Sequence, residues 1–376
     1  MATRPSINVR FQSPSNSAVT VLMSSSVMTG CSWGYGRQRL TDSFQGNTCQ
    51  VYGIKPSDVT AWPEIGTAMS VEVIDRTNAN YNAWFVGTCS NVEIQYGLIP
   101  ALDTFTITIE SPLSRVGRQI ATLTTTAGAS TSAAVTSLDA LTPLDILSNS
   151  SSYAFASTTS AQTIEQTVTD HINLLARGEQ AYVLESGLET QPADDAMEVT
   201  LLSSRTPYSF NTYTFSDTGA ASPTVYRYNQ LVFQSLADNY STKVLVNATG
   251  FAQQDAGTGT YTLEIDTING SAAEADNVAG YVKTILDLNQ RTPTSIRFDG
   301  AGTDAGIITA RIGQNYSGAQ ITFRGTTYYT LIEGASFTAN ASNWECELYL
   351  SSASYRPFLQ LDSTASGILN TNKLGF

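Results

Sequence analysis

The residue types that most often carry catalysis or bind metals are few and scattered in this sequence. His171 is the only histidine among 376 residues, which excludes zinc motifs of the HExxH type because these need two histidines. The sequence also contains no GxSxG nucleophile elbow, no Walker A loop and no GxGxxG after a predicted strand. We therefore interpret His171 as an ordinary helix residue, and we predict that the protein is not an enzyme.

The cysteines give no sign of a metal site or a redox motif. They stand far apart, without a CxxC pair and without a histidine at metal-binding distance in the chain, at Cys31, Cys49, Cys89 and Cys346. A chain of this length does not need disulfides to hold its core together. We interpret all four as small buried apolar residues, and we predict no metal and no cofactor.

Acidic residues offer only weak candidates for chemistry. Asp194 and Asp195 are adjacent in a predicted loop after Pro192, where they could bind a cation or supply half of a glycosidase pair. Such a pair needs two carboxyl groups about 5–10 Å apart across a sugar, and adjacency in sequence does not provide this. We interpret the loop as solvated, and the same interpretation applies to the isolated Asp266, Asp287, Asp299, Asp304 and Asp362.

Aromatic residues are abundant enough to suggest a binding surface. The chain contains Trp33, Trp62, Trp84 and Trp344, together with 18 tyrosines and 14 phenylalanines. Exposed aromatic rings bind sugars, but aromatic residues also fill β cores and protein interfaces. We favour the core and interface interpretation, and a carbohydrate-binding or receptor-binding adhesin remains the alternative.

The charge balance argues against a nucleic-acid-binding protein. Lysine and arginine number 19 against 32 acidic residues, so the formal net charge is −13, and the basic residues do not cluster. A protein that binds nucleic acid electrostatically needs a basic face.

The amino terminus lacks the basic and apolar regions of a cleaved secretion signal, and no stretch reaches the roughly 18 apolar residues of a membrane span. We expect synthesis in a cytoplasm.

The element pattern predicts a mainly β fold with minor α content. Charged residues are only 14% of the chain, and several segments alternate apolar and polar residues, as half-buried strands do. In TFTITIES at 104–111, Phe105, Ile107 and Ile109 are predicted to face one way and the threonines the other. The length favours more than one domain.

Two segments carry helical spacing, and a third is predicted to be a loop. Residues 160–178 are predicted to form one helix, with Ser160 as its N-cap and Gly178 as its C-cap. Residues 271–291 are predicted to form another, with Ser271 and Glu274 as a capping box. Residues 123–135 lack large apolar side chains and are predicted to form a loop or a flexible connection.

Three stretches, in order along the chain, carry a resemblance to a known family. The first is residues 32–58, which contain Gly36, Arg37, Asp42, Phe44 and Gly46. The second is residues 84–118, and the third is the closing segment FLQLDSTASGILNTNKLGF at 358–376. Together they resemble the minor tail proteins of long-tailed bacteriophages, especially those of actinobacterial hosts. In overall plan the chain also resembles, more distantly, the hub proteins of contractile-tailed phages.

The resemblance implies two tail-tube-like antiparallel β-barrels with an inserted α+β domain. The expected division places the first barrel at 1–112 and the inserted domain at 113–200 and 253–300. The second barrel is expected at 201–252 and 301–361, followed by a docking tail at 362–376. In that tail, Leu369, Leu374 and Phe376 carry apolar area, and we expect them to pack on the barrel or on a neighbouring subunit.

The resemblance also implies a structural role at the distal end of a phage tail, within the virion. The implied protein is a homotrimeric hub of the tail tip or baseplate that takes part in tail assembly and in DNA ejection. Its implied partners are tail tube and distal tail proteins, the tape measure protein, and tail fibre or spike proteins. Genome DNA would pass through without specific binding, and we expect an acidic channel wall because a basic wall would bind phosphates.

Overall fold

The computed structural model describes residues 6–13, 16–23, 26–74, 81–148, 157–186, 198–203, 212–218, 225–234, 243–289, 292–299, 318–340 and 344–352. The first seven strands are β1 (Ser6–Ser13), β2 (Asn16–Met23), β3 (Met28–Gly36), β4 (Thr48–Ile54), β5 (Ala68–Ile74), β6 (Tyr81–Gln95) and β7 (Thr104–Glu110). The middle of the chain contains α1 (Pro112–Val116), β8 (Ile120–Thr125), α2 (Thr131–Asp139), β9 (Asp145–Ser148), β10 (Gln162–Thr167), α3 (Val168–Glu179), β11 (Ala181–Ser186) and β12 (Glu198–Ser203). The remaining elements are β13 (Thr212–Ser216), β14 (Val225–Arg227), β15 (Gln230–Val232), β16 (Lys243–Ala248), β17 (Gln254–Ala256), β18 (Thr262–Thr267), α4 (Ala272–Asn289), β19 (Ser295–Asp299), β20 (Gly318–Phe323), β21 (Thr326–Asn340) and β22 (Trp344–Ser352).

The first seven strands form one curled half of a large sheet. They pair antiparallel throughout, in the order β2-β1-β5-β6-β7-β4-β3. The end strands β2 and β3 are consecutive in the chain, and β1 packs against β3, so the half curls back on itself. The predicted alternation in β7 is confirmed, because Phe105, Ile107 and Ile109 are buried while Thr104 is exposed.

A second curled half is built from strands of the carboxy-terminal part of the chain. Strand β21 pairs with β20 and β22, which continue to β13-β14 and to β19-β15 respectively. The end strands β14 and β15 are separated only by Tyr228 and Asn229, so this half also curls back. Strand β13 runs parallel to both β14 and β20, a departure from the purely antiparallel pairing that was expected.

Strand β21 joins the two halves into one sheet. Residues 326–331 of β21 pair with β20, and residues 334–340 on the same strand pair with β3. One hydrophobic cluster runs through both halves and includes Phe11, Ile107, Phe298 and Phe337. The mainly β class with two curled β parts is confirmed. The elements from α1 to β12, with the pairings β8-β10 and β9-β12-β11, form an α+β part around a second apolar cluster.

The α+β part corrects two predictions about local structure. Residues 162–167 form β10, paired with β8, and the helix starts only at Val168 with Thr167 as its N-cap; Ser160 is not the cap. Gly178 lies inside α3, and Gln180 takes the left-handed C-cap position at φ 56°. Residues 163–167, TIEQT, form a strand rather than the first turns of the helix, because they also alternate and can pair with β8. The loop predicted at 123–135 is confirmed only at 126–130, because residues 123–125 belong to β8 and residues 131–135 to α2, where small apolar residues such as Ala134 pack in the core.

The second predicted helix is confirmed at its amino terminus. The Ser271 hydroxyl accepts the Glu274 backbone N–H at 3.2 Å, and the Glu274 carboxylate reaches back to the Gly270 N–H at 3.1 Å. The same carboxylate accepts the Thr158 N–H at 2.9 Å, so the cap also ties α4 to a distant segment. In the described part of the chain, no helix combines the length and the apolar character that crossing a membrane requires.

The proposed domain boundaries remain predictions, but strand pairing differs from them at two places. Strand β16, expected in the second barrel, pairs with β17 and β18 and packs on α4 around its own apolar cluster. Strand β19, expected at the end of the inserted domain, pairs with β22 in the main sheet. In each case an alternating strand pattern does not reveal which sheet accepts the strand.

Candidate functional site

A continuous polar face extends over the main sheet from one half to the other. Cross-strand partners on this face are Glu93 and Thr106, Tyr52 and Thr106, Ser32 and Gln50, and Ser32 and Thr338. It continues onto β22 and β19 through the pairs of Thr338 with Glu345, and of Glu347 with Arg297. We define the polar face as Ser32, Gln50, Tyr52, Glu93, Gln95, Thr104, Thr106, Thr108, Arg297, Asp299, Ser336, Thr338, Glu345 and Glu347.

The polar face is rich in hydroxyl and amide groups and carries net negative charge. Its acidic members are Glu93, Asp299, Glu345 and Glu347, and its one cation is Arg297. The Arg297 guanidinium is already held by two carboxylates, Glu347 at 3.0 Å and Glu345 at 3.6 Å. Such a surface holds water well but offers a phosphate backbone no unpaired positive charge.

The polar face stays continuous because a buried polar junction fastens β3 to β21 and β22. The Arg37 Nε atom donates to Glu333 Oε2 at 2.7 Å, and the Ser351 hydroxyl donates to Glu333 Oε1 at 2.5 Å. The Glu333 side chain is only 1% exposed and that of Arg37 11%. Gly36 and Gly334 let the backbones meet at this point, since a Cβ atom on Gly334 would lie 2.5 Å from the carbonyl oxygens of Tyr35 and Arg37.

The segment after β3 clamps this junction to the α+β part. The Arg37 guanidinium lies over the Phe44 ring at 4.5 Å, and the Asn173 side chain of α3 bonds both the N–H and the carbonyl of Phe44, at 2.7 and 2.8 Å. Gly46 passes so close to α1 that an added Cβ atom would lie 2.1 Å from Ser114 Cα. The Asp42 carboxylate closes the turn by accepting the Arg39 N–H at 3.0 Å. The Gly-Arg…Asp…Phe…Gly spacing therefore has a structural role, because this segment joins the Glu333 junction to α3 and to α1.

Strand β11 brings a second carboxylate to the junction. Glu185 accepts the Leu113 N–H at 2.8 Å and the Asn47 side-chain N–H at 3.2 Å. Loss of solvation on burial raises the pKa of the Glu185 carboxyl, and its hydrogen bonds to Ser111, Leu113 and Asn47 oppose that shift. Burial next to the Glu333 carboxylate likewise raises the pKa of the Tyr182 hydroxyl, which lies against Gly36.

Replacing Glu185 with glutamine should change the pH dependence of stability. Because folding raises the pKa of this carboxyl above its ordinary 4.5, its contribution is fully present below that value and is lost as pH rises through the raised value. The Glu185→Gln variant should therefore gain stability relative to the wild type between about pH 4 and pH 7. Denaturant midpoints over this range test this, with Glu64→Gln on an exposed carboxylate as control; parallel curves for wild type and Glu185→Gln would contradict it.

The residues considered for chemistry do not come together in the described part of the chain. His171 is buried, with Nε2 3.0 Å from the Ala121 carbonyl oxygen and Nδ1 3.2 Å from Gln166 Nε2, and burial lowers its pKa. The four cysteines are buried and free, as predicted. No group of three potential metal ligands occurs among the described residues. Asp194, Asp195, Asp304, Asp362, Leu369, Leu374 and Phe376 lie outside the described residues.

The three tryptophans whose side chains the structure describes do not form the exposed platform that a sugar-binding surface needs. Trp33 and Trp344 are buried, and Trp62 packs edge-on against Phe105 with ring centroids 5.0 Å apart. The Trp84 side chain lies outside the described part. These three described indoles belong to the β core.

Sequence reasoning missed Glu333, Ser351 and Glu185 as partners in the junction. One local signal was available for Glu333, which interrupts the apolar run of Leu331, Ile332 and Ala335. A single charge inside a buried strand indicates a buried partner. The identity of that partner was not accessible, because Arg37 lies 296 residues away in the chain.

Comparison with known proteins gives similarity in fold alone. No protein-family model and no curated protein matches the sequence. Among solved structures, a tail protein from Neisseria meningitidis MC58 aligns over 93% of this chain and 97% of its own, with a TM-score of 0.59 and 9% identity. The 43 kDa tail protein of prophage MuSo2 from Shewanella oneidensis aligns over 92% and 97%, with a TM-score of 0.55 and 11% identity. The chain therefore shares the fold of phage tail proteins along nearly its whole length.

Proposed function

We propose that this chain is a structural protein of a phage tail, a homotrimeric hub at the distal tip or baseplate. The proposal is supported by the fold shared with two tail proteins and by the resemblance of residues 32–58 to minor tail proteins. The hub joins the tail tube and distal tail proteins to fibre or spike proteins, and it meets the tape measure protein. The closing segment 362–376, with Leu369, Leu374 and Phe376, docks on the barrel or on a neighbouring copy.

The observation that carries the proposal is the polar face. Three copies arranged around an axis, each turning this face inward, form a wall of hydroxyl, amide and carboxylate groups. Its single cation, Arg297, is already paired. DNA passes along such a wall without being bound, because the wall presents no unpaired positive charge to the phosphates.

Particle imaging together with the mass of the purified chain tests the hub assignment. Light scattering on the full-length chain should give a trimer, and electron microscopy of the tail of the virus that encodes it should place it in a ring at the tip. A chain that remains monomeric, in tails that show no such ring, would overturn the proposal. Sugar release or glycan binding by the isolated chain would favour the adhesin alternative.

Positive charge introduced on the polar face should retain the genome. The double variant Thr106→Lys/Thr338→Lys adds two cations per copy and six per trimer, and we expect DNA release from the particle to slow by about tenfold or more at low salt. The delay should shrink as salt is raised, because phosphate contacts release counterions. The matched control is Thr122→Lys/Thr136→Lys on exposed threonines of the α+β part. Equal release rates in the two variants would refute the placement of this face on the channel.

A further inference from the structure

The connection between β6 and β7 presents an apolar tip to solvent. Its side chains are exposed by 78% at Tyr96, 99% at Leu98, 53% at Ile99 and 61% at Leu102. Four large apolar side chains so close together are unusual on the surface of a protein that works alone, and clusters of this kind mark interaction sites. We define Tyr96, Leu98, Ile99 and Leu102 as the apolar tip.

The apolar tip is held in a defined shape. The Gly97 N–H donates to the Asp103 carboxylate at 2.8 Å, and the Leu102 N–H donates to the Ile99 carbonyl at 2.9 Å. The Lys55 N–H donates to the Asp103 carbonyl at 3.1 Å, which ties the tip to the segment after β4. These bonds keep the apolar side chains turned outward, so little ordering entropy is lost when they bind a partner.

The tip projects past the end of the polar face. Pairing between β6 and β7 stops at Gln95 and Thr104, both members of that face, and the tip begins at the next residue. Copies arranged side by side around a channel contact one another along their flanks. A feature beyond the strand ends instead meets whatever stacks above or below the ring.

Charge indicates what kind of surface the tip meets. The Asp103 carboxylate lies at the base of the tip, where it accepts the Gly97 N–H. Glu93 precedes the tip on β6, and the turn that contains Lys55 and Asp58 is tied to Asp103 through the Lys55 N–H, so acidic residues outnumber cations in these segments. A complementary socket is therefore apolar with a basic rim. Within the described part of the chain, six cations that could contribute to such a rim are already held in ion pairs, which favours a socket on another protein: Arg10, Arg37, Arg118, Lys243, Lys283 and Arg297.

We propose that the apolar tip docks into an apolar, basic-rimmed socket on a different protein ring that stacks on the hub along the tail axis. The inference rests on the proposed hub function and identifies the apolar tip as the surface through which the hub contacts the next ring along the tail axis. Four side chains are too small a surface for a stable pair of proteins, which usually bury about 800 Å² on each partner. Three tips on one ring act together, and the linkage multiplies a weak single contact.

The test compares two variants of the full chain in the virus that encodes it. Leu98→Ser/Ile99→Ser changes the tip, and Ile65→Ser changes another apolar side chain, 67% exposed, as control. Purified tip variant should keep the wild-type melting temperature and the wild-type mass by light scattering. Completed tails, counted by electron microscopy and analysed for composition by mass spectrometry, should fall at least tenfold with the tip variant and stay unchanged with the control.

Each other result overturns the inference in a distinct way. Normal numbers of complete tails with the tip variant would show that the tip is dispensable. Loss of trimer mass in that variant would make the tip a contact between copies. Binding of the wild-type chain, but not the variant, to vesicles of phosphatidylcholine and phosphatidylglycerol would make it a lipid contact. Wild-type particles that lack the chain would instead refute the hub function itself.

Discussion

Replacing Arg37 with alanine is expected to destabilise the folded chain by about 3–5 kcal/mol, because the Glu333 carboxylate is then left buried without its ion-pair partner. The Glu333 side chain is 1% exposed, so its carboxylate depends on the guanidinium and on Ser351 rather than on bulk water for stabilisation of its charge. The change also removes the cation over the Phe44 ring and loosens the link to α3. The measurement is the free energy of unfolding from denaturant titration, followed by both fluorescence and circular dichroism.

The matched control for Arg37 is an exposed ion pair in the same molecule. Arg118 pairs with Glu110, but its side chain is 75% exposed, so Arg118→Ala should cost no more than about 1 kcal/mol. A loss below about 1 kcal/mol for Arg37→Ala as well would show that the junction tolerates an unpaired carboxylate. The double variant Arg37→Met/Glu333→Leu should recover much of the loss, since apolar replacements leave no buried charge.

The Gly334→Ala substitution is expected to destabilise the folded chain by a similar amount, about 3 kcal/mol or somewhat more, because the two backbones cannot separate without breaking the sheet. A Cβ atom there would lie 2.5 Å from the carbonyl oxygens of both Tyr35 and Arg37, and 2.9 Å from the Arg37 nitrogen. These atoms belong to the β3 side of the junction, so relief of the clash pulls β3 away from β21. The melting temperature of Gly334→Ala measures the cost, and the oligomeric mass measures its consequence for the hub.

Gly280 provides the control for a glycine-to-alanine change. It lies within α4, and a Cβ atom added there would meet no described atom within 4 Å outside the backbone of its own helix. Alanine at this position should stabilise the chain by about 0.5–1 kcal/mol through helix propensity. If Gly334→Ala were as stable as Gly280→Ala, close backbone contact would not be what holds the two halves together.

Local patterns in the sequence predicted much of the β framework and one helix end correctly. The alternation of TFTITIES gave the buried side of β7, and Ser271 with Glu274 marked the start of α4. The same kind of reasoning failed at 160–167, where both strand and helix spacing fit. There the presence of β8 as a partner decided the outcome.

The sequence by itself determined the mainly β class, the scarcity of catalytic groups, the acidic balance and the buried cysteines. These depend on composition and on periods of two to four residues, which each segment carries alone. Only the tertiary structure decided that β3 pairs with β21, that Arg37 meets Glu333, and that polar residues from β6 to β19 form one face. These relations join residues up to about 300 positions apart, and they depend on which strands find matching edges and shapes during packing, which no local period encodes.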